Sequence, residues 1–250
     1  MKFTLLKPGH CNNCGSPFST SNTHTKEGWL ETEISGLCED CFDTMLAEES
    51  DTEETIEILT QYKNDSTQID SDIVKLIDSY SGKLFLAGGC WRKPFDGIQI
   101  DDYDIFFSTL GILELPNVIS HLEDIGFNKV FECPLGELYT FKDGDTKVQL
   151  ITKFRYESME DLISTFDITA ACCGYDGTQF HFDEKFSKDC ENKEIGLNRV
   201  TFPVATMKRI NKYRDKGYMV PNTTLEHLVQ EIVRISGGDM SLIDNRFYID

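Results

Sequence analysis

Hydrophobic and polar positions divide the chain into a polar N-terminal stretch and a longer region of regular elements. Residues 8 to about 46 are rich in Gly, Cys, Ser, Thr and Asn, so they lack the side chains for an apolar core of their own. Apolar residues then recur at helical spacing over 52–62 and 69–80. These two segments predict a linker helix and a docking helix.

Short apolar runs beyond residue 82 predict a sheet. The run KLFLA at 83–87 ends at two glycines, as expected of a buried strand, and the segment 167–175 is either a strand or a buried helix. Further strands are predicted at 103–108, 128–132, 137–142 and 146–151, and further helices at 116–125, 157–166, 204–216 and 223–236. The pattern predicts an α/β (α+β) fold, in which helices pack on a mixed sheet.

Composition narrows the class of protein. The 250 residues contain no apolar run of eighteen and no secretion signal at the N-terminus, so we expect a soluble, cytoplasmic protein without a membrane partner. Nine cysteines, an odd number, then favour reduced thiols and a metal over a disulfide framework. A formal charge of -19 repels polyanions and argues against nucleic-acid binding over the whole surface, although divalent cations can reverse that sign locally.

Four of the cysteines have the spacing of zinc ligands. Cys11 and Cys14 form one C-x2-C pair, and Cys38 and Cys41 form another, with twenty-three residues between the pairs. Each pair brings two thiolates to one side of a turn, and two pairs complete the tetrahedral shell of a structural zinc. The other interpretation is four unligated thiols, which would leave this polar segment with little to hold it together.

A glycine pair and an acidic pair follow the first predicted strand. Gly88 and Gly89 allow backbone N–H groups to approach a triphosphate closely, and Arg92 adds positive charge nearby. Asp102 and Asp104 lie two apart on a strand, so their carboxylates face the same side and can share Mg²⁺ or Mn²⁺. This arrangement suits phosphoryl transfer, whereas a strand end followed by a solvated acidic turn is the other interpretation.

The residues Leu86–Arg92, followed by Asp102–Asp104, resemble the GG…R…D-x-D signature of polymerase-beta-like nucleotidyltransferases. The nearest look-alikes are the head domains of CCA-adding enzymes and bacterial poly(A) polymerases, and short bacteriophage nucleotidyltransferases are similar. Three further segments, at 148–155, 166–171 and 207–218, follow in the family's order. The resemblance covers roughly residues 83–220 and implies an NTP, such as ATP, as substrate.

The resemblance also implies roles for particular residues. Asp102 and Asp104 would be catalytic, metal-binding carboxylates, and Asp167, in a segment similar to the family's R-D-F-T-I-N motif, would be a third catalytic residue. Gln149 departs from the family, in which an acidic residue usually stands at this position, because an amide brings no negative charge to metals. The basic residues in the segment 207–218 would bind nucleotide; the other interpretation is that they form a solvated helix face. The implied nucleotide-binding residues are Gly88, Gly89, Arg92, Arg155, Lys208, Arg209 and Lys212.

Together these features predict four parts: a zinc-ribbon-like module at 1–46, an acidic linker with docking helices at 47–82, a catalytic domain at 83–200 and a helical segment at 201–250. The predicted activity is metal-dependent transfer of a nucleoside monophosphate from an NTP to a hydroxyl. RNA with a tRNA-like 3′ end is the expected acceptor, ahead of a protein or a small molecule. The long helical domains that grip tRNA in CCA-adding enzymes are absent, so CCA addition itself is not expected. The alternative is a degenerate relative that binds nucleotide, RNA or protein as a regulator.

Overall fold

The computed structural model describes residues 9–237 and divides the chain into two compact units, Met1–Glu57 and Ile58–Asp250. The outer ends of the first and last predicted parts, residues 1–8 and 238–250, therefore lie outside the described residues.

The N-terminal unit contains helix α1 (Lys26–Ile34) and most of helix α2 (Glu39–Asn64). Helix α1 begins at Thr25, whose hydroxyl accepts a hydrogen bond from the Gly28 N–H at 2.9 Å. The Thr25 hydroxyl in turn donates to the Glu39 carboxylate at 2.6 Å, so α1 is tied to the start of α2. The sequence did not predict α1, because its large apolar residues are exposed and show no buried face. The predicted linker helix at 52–62 is the second half of the longer α2.

The second unit continues with the remaining elements in chain order. Helix α3 (Ser71–Ser79) has the predicted amphipathic pattern and buries one apolar face. The other elements are β1 (Leu84–Ala87), α4 (Lys93–Asp96), β2 (Tyr103–Ser108), α5 (Leu115–Asp124), β3 (Asn128–Glu132), β4 (Leu138–Asp143), β5 (Thr146–Tyr156), α6 (Met159–Ile163), β6 (Cys173–Tyr175), β7 (Phe180–Phe182), α7 (Phe186–Asn192), α8 (Pro203–Asp215) and α9 (Asn222–Ser236).

Within residues 58–237, the strands form one mixed, seven-stranded sheet in the order β3-β4-β5-β2-β1-β6-β7. Strands β2 and β5 pair in parallel, and all the other neighbouring strands pair antiparallel. The predicted α/β fold with a mixed sheet and flanking helices is confirmed. Among the described residues, no helix has both the length and the apolar character that a membrane crossing requires.

Both faces of the sheet are covered, and the alternation along β1 shows how. Leu84 and Leu86 belong to the larger core, which also contains the buried face of α3. Phe85 and Ala87 point to the opposite side, into a smaller core with residues of α6. This strand is apolar throughout because it is buried on both faces.

Two segments differ from the sequence-based expectation. The run 167–175 is neither one strand nor one helix, since a 3-10 turn at Thr169–Ala171 is followed by the short strand β6. Strand β5 continues past the predicted end at 151 to Tyr156, and its register with β2 shifts after Phe106. The shift pairs Phe106 with Ile151 but Phe107 with Arg155, so an irregular stretch of β5 lies between them.

Candidate nucleotide and metal site

The acidic pair lies where β2 begins, between two neighbouring strands. Asp104 is paired with Ala87 at the end of β1 and with Gln149 on β5. Tyr103, between the two aspartates, is buried on the opposite side, and its hydroxyl oxygen accepts a hydrogen bond from the Asp70 N–H at 3.0 Å. The alternation of the strand therefore leaves Asp102 and Asp104 on the same side, as the sequence predicted.

The glycine turn comes directly alongside these carboxylates. Gly88 has φ 96° and ψ -146°, a conformation that residues with a side chain rarely adopt. Its N–H donates to the Cys173 carbonyl at 2.8 Å, which fixes the turn against β6. A Cβ atom at Gly88 would lie 3.7 Å from Asp104 Oδ2, so the backbone of the turn borders the acidic pair.

Gln149 bridges the two carboxylates. With its amide nitrogen turned towards them, it donates to Asp104 Oδ1 at 3.0 Å and to Asp102 Oδ2 at 3.2 Å. The opposite orientation would point the amide oxygen at the two carboxylates, which are acceptors when ionised. Lys147, also on β5, forms an ion pair with Asp102 at 2.8 Å. The carboxylates are thus held by an amide and an ammonium group from the same strand.

Burial and mutual repulsion dominate the electrostatics of this pair. Burial, reinforced by the negative charge of Asp102, raises the pKa of Asp104 to about 7, against the opposing effect of Lys147 and Lys212. Burial alone would lower the pKa of Lys147, but its hydrogen bond to Asp102 and the surrounding negative charge outweigh burial and raise it. A carboxyl group that is costly to ionise beside a second carboxylate is the environment in which a divalent cation is strongly favoured.

Asp167 lines the same cavity as Asp102 and Asp104, and two residues of α8 donate hydrogen bonds to its carboxylate. The Thr206 hydroxyl and the Arg209 Nη1 group both donate to Asp167 Oδ2 at 2.7 Å. Arg209, one of the predicted nucleotide-binding residues, therefore already carries a carboxylate partner. The catalytic role of Asp167 stays a prediction, and so does the part of Arg209 in binding nucleotide.

Arg92 lies beneath the glycine turn in a buried ion pair. Its Nη1 group contacts Asp96 at 2.5 Å, and the Tyr218 hydroxyl donates to the same carboxylate oxygen at 2.8 Å. The Nε atom of Arg92 is buried and has no partner among the described residues. It points towards Gly89, since a Cβ built there would lie 3.5 Å from this nitrogen.

The glycine turn, the acidic pair, Gln149, Asp167 and Arg92 line one cavity of about 840 Å³. Its walls carry seven basic side chains and four aspartates, although the whole chain has a net charge of -19. Basic side chains therefore outnumber acidic ones at this cavity, in contrast to the chain as a whole. The basic residues are Arg92, Lys153, Arg155, Arg199, Arg209, Lys212 and Lys216, and the acidic ones are Asp101, Asp102, Asp104 and Asp167. Lys208, also predicted to bind nucleotide, does not line the cavity.

Sequence reasoning missed Arg199 and Lys153 at this site. Arg199 lies in the loop before α8, and its N–H donates to the Phe166 carbonyl at 3.3 Å. Lys153 and Phe154 belong to the irregular stretch of β5, and Arg155, which follows it, also lines the cavity. Neither position carries a periodic signal, because a loop crossing and a strand irregularity place them there.

The four predicted zinc ligands form a cluster in the N-terminal unit. The Sγ atoms of Cys11, Cys14, Cys38 and Cys41 all lie within 4.8 Å of one another. Those of Cys14 and Cys38 are 3.9 Å apart, close to the ~3.8 Å that tetrahedral geometry implies for zinc–sulfur bonds of about 2.3 Å. The Cys38 N–H also donates to Cys11 Sγ at 3.3 Å. The donor set and its spacing therefore fit a structural zinc ion.

The fold is similar to that of CCA-adding enzymes. The Thermotoga maritima CCA-adding enzyme complexed with tRNA gives a TM-score of 0.50 at 13% identity, over 71% of this chain and 44% of that chain. A CCA-adding enzyme in an apo form gives 0.51 at 15% identity, and a complex with ATP gives 0.51 at 14%, each over 71% of this chain and 45% of the other. At these identities the likeness shows the fold alone.

The family model of the Gabija anti-defense 2 family proteins matches residues 53–193, and the chain belongs to that family. Gabija anti-defense 2 of Bacillus phage SPbetaL7 is 27% identical over 142 residues, which cover 55% of this chain and 34% of that protein. An uncharacterized protein of Acanthamoeba polyphaga mimivirus is 28% identical over 109 residues, covering 42% and 23%. The chain thus matches about a third or less of the length of these relatives.

Proposed function

We propose that this protein is a metal-dependent nucleotidyltransferase that moves a nucleoside monophosphate from an NTP to a hydroxyl, with RNA as the acceptor. The observation that carries the proposal is the paired carboxylates of Asp102 and Asp104 beside the turn at Gly88, at one end of a cavity with an excess of basic groups. Two structural neighbours in complexes with ATP and CTP support an NTP as the donor.

Acidic residues of the site would bind the metal ion, and basic residues would bind the phosphates. Asp102 and Asp104 would hold Mg²⁺ or Mn²⁺, which neutralises the triphosphate and stabilises the departing pyrophosphate. The unpartnered Nε of Arg92 and the ammonium group of Lys212 would bind phosphate oxygens next to the glycine turn. Concentrating these groups in one cavity lets an otherwise acidic chain attract a polyanionic substrate.

The far side of the cavity has the chemistry to receive an RNA end. The ring centroids of Phe166 and Phe106 lie 5.8 Å apart, and both side chains line the cavity, so aromatic rings form part of its wall. Arg155 and Arg199 are exposed there, and within the described residues neither has a carboxylate partner. Aromatic rings that stack on bases, combined with arginines that bind phosphates, are typical of sites for single-stranded nucleic acid. A neighbour complexed with tRNA is consistent with an RNA partner.

A second candidate is a regulator that binds nucleotide, RNA or protein without turnover. Gln149 favours it, because the amide occupies the position of a carboxylate in the resembling family and removes one negative charge from the metal site. Membership of a family named for anti-defense suits either candidate, since a host component can be blocked by modification or by binding alone.

The test is transfer of label from α-³²P-labelled ATP, CTP, GTP and UTP, with Mg²⁺ or Mn²⁺, into total RNA and into protein. Asp104→Asn is the inactive control, and Asp143→Asn, an exposed residue of β4 outside the cavity, is the matched control. Label in RNA that is lost in the Asp104 variant and kept in the Asp143 variant would support the enzyme. Equal label in all three proteins, or none in any, would favour the regulator.

A further inference from the structure

The contact between Gln149 and the acidic pair has a consequence for how many metal ions the site holds. Gln149 is only 7% exposed and lies directly opposite Asp104 in the parallel pairing of β5 with β2. Its single amide nitrogen is within 3.2 Å of both carboxylates. The amide therefore lies between Asp102 and Asp104 and contacts one oxygen of each carboxylate.

Charge decides how many cations such a site can bind. In a two-metal site, two divalent ions lie about 3.5–4 Å apart and need several carboxylates to offset their repulsion. The acidic pair supplies two negative charges, and Lys147, 2.8 Å from Asp102, offsets one of them. Gln149 adds none. The other two carboxylates of the cavity are already paired, Asp101 with Lys216 and Asp167 with Arg209. The net charge left at the acidic pair is therefore about one negative charge, which favours one divalent cation over two.

We propose that Gln149 makes this a one-metal site. The neutral amide stands at the position where a second cation would require a carboxylate. The inference rests on the proposed function only in that the bound cation accompanies a nucleoside triphosphate. Lys147 and the Gln149 amide hold the carboxylates in position, and the one cation enters with the triphosphate. Gln149 is thus a positioning residue that sets metal stoichiometry.

The proposal can be tested by electron paramagnetic resonance of Mn²⁺ bound to the zinc-loaded full chain. The nucleotide is α,β-methylene ATP, which cannot be cleaved at the relevant bond, with protein in excess over nucleotide. Two Mn²⁺ ions about 3.5–4 Å apart give an exchange-coupled spectrum, whereas a single ion does not. The readout counts cations directly and requires no turnover.

Three proteins are compared. The native chain is expected to show one uncoupled Mn²⁺ per nucleotide complex, and Gln149→Met, neutral and of similar size, should show the same. Gln149→Glu restores a negative charge and should bind two coupled ions, provided that Mn²⁺ is present during purification. The native chain keeps the test decisive even if the glutamate variant does not fold.

A coupled pair in the native chain, or no bound Mn²⁺ at all, would overturn the inference, as would a folded glutamate variant that still binds one ion. These results are distinct from failure of the proposed function. Label transfer to RNA by a protein with two metals would keep the enzyme and reject the one-metal site. One bound ion without any label transfer would do the reverse.

Discussion

Replacing Asp104 with asparagine should change how the stability of the metal-free protein depends on pH. Burial, together with the negative charge of Asp102, raises the pKa of this carboxyl to about 7 in the folded protein, from its usual value of about 4. Between these two values the folded state holds a proton that the unfolded state has released. The free energy of unfolding therefore falls as pH rises from about 4 to about 7, and the contribution of protonated Asp104 is lost above that range.

The magnitude follows from the size of the shift. A tenfold change in an equilibrium constant is about 1.4 kcal/mol, so raising the pKa from about 4 to about 7 gives an upper limit of about 4 kcal/mol. Asparagine cannot ionise, so the variant lacks this loss. We expect Asp104→Asn to gain stability relative to the native chain between pH 5 and pH 8, by up to about 3 kcal/mol, because part of the loss is complete by pH 5.

The assay is urea unfolding at several pH values in buffers treated with a chelating resin, so that magnesium is removed while bound zinc is retained. Fluorescence of the fully buried Trp91 reports on the second unit. Asp143→Asn, at an exposed position of β4, serves as the control and should follow the native curve. If the native and Asp104→Asn stabilities stay parallel from pH 5 to pH 8, burial does not raise the pKa of Asp104 in the folded protein.

Three other predictions concern different parts of the molecule. Cys14→Ser should abolish zinc binding and make the N-terminal unit susceptible to protease. Cys133→Ser, outside the cysteine cluster, should do neither. Zinc content measured by mass spectrometry and limited proteolysis check this. Asp96→Ala leaves the buried guanidinium of Arg92 unpaired and should cost about 3–5 kcal/mol in urea unfolding, and a loss below about 1 kcal/mol would contradict the buried pair. Arg199→Ala should leave stability within about 0.5 kcal/mol but weaken binding of a single-stranded RNA in a fluorescence-anisotropy titration, and unchanged affinity would remove this arginine from the binding surface.

Features encoded within a few residues could be read from the sequence. Strand β2 was predicted with its observed bounds because its apolar run is short and bounded by acidic and polar residues. The same-side placement of Asp102 and Asp104 follows from the two-residue period of a strand. The four-cysteine cluster follows from the chelating geometry of each C-x2-C pair.

Only the tertiary structure decided which distant groups meet. The bond from Arg209 to Asp167 joins residues 42 apart, and the bond from Tyr218 to Asp96 joins residues 122 apart, so no local period reveals either. Arg199 reaches the cavity because a loop packs against the Phe166 carbonyl. Spacing along the chain fixes the direction in which neighbouring side chains point, whereas contacts between distant residues depend on how the sheet and helices pack.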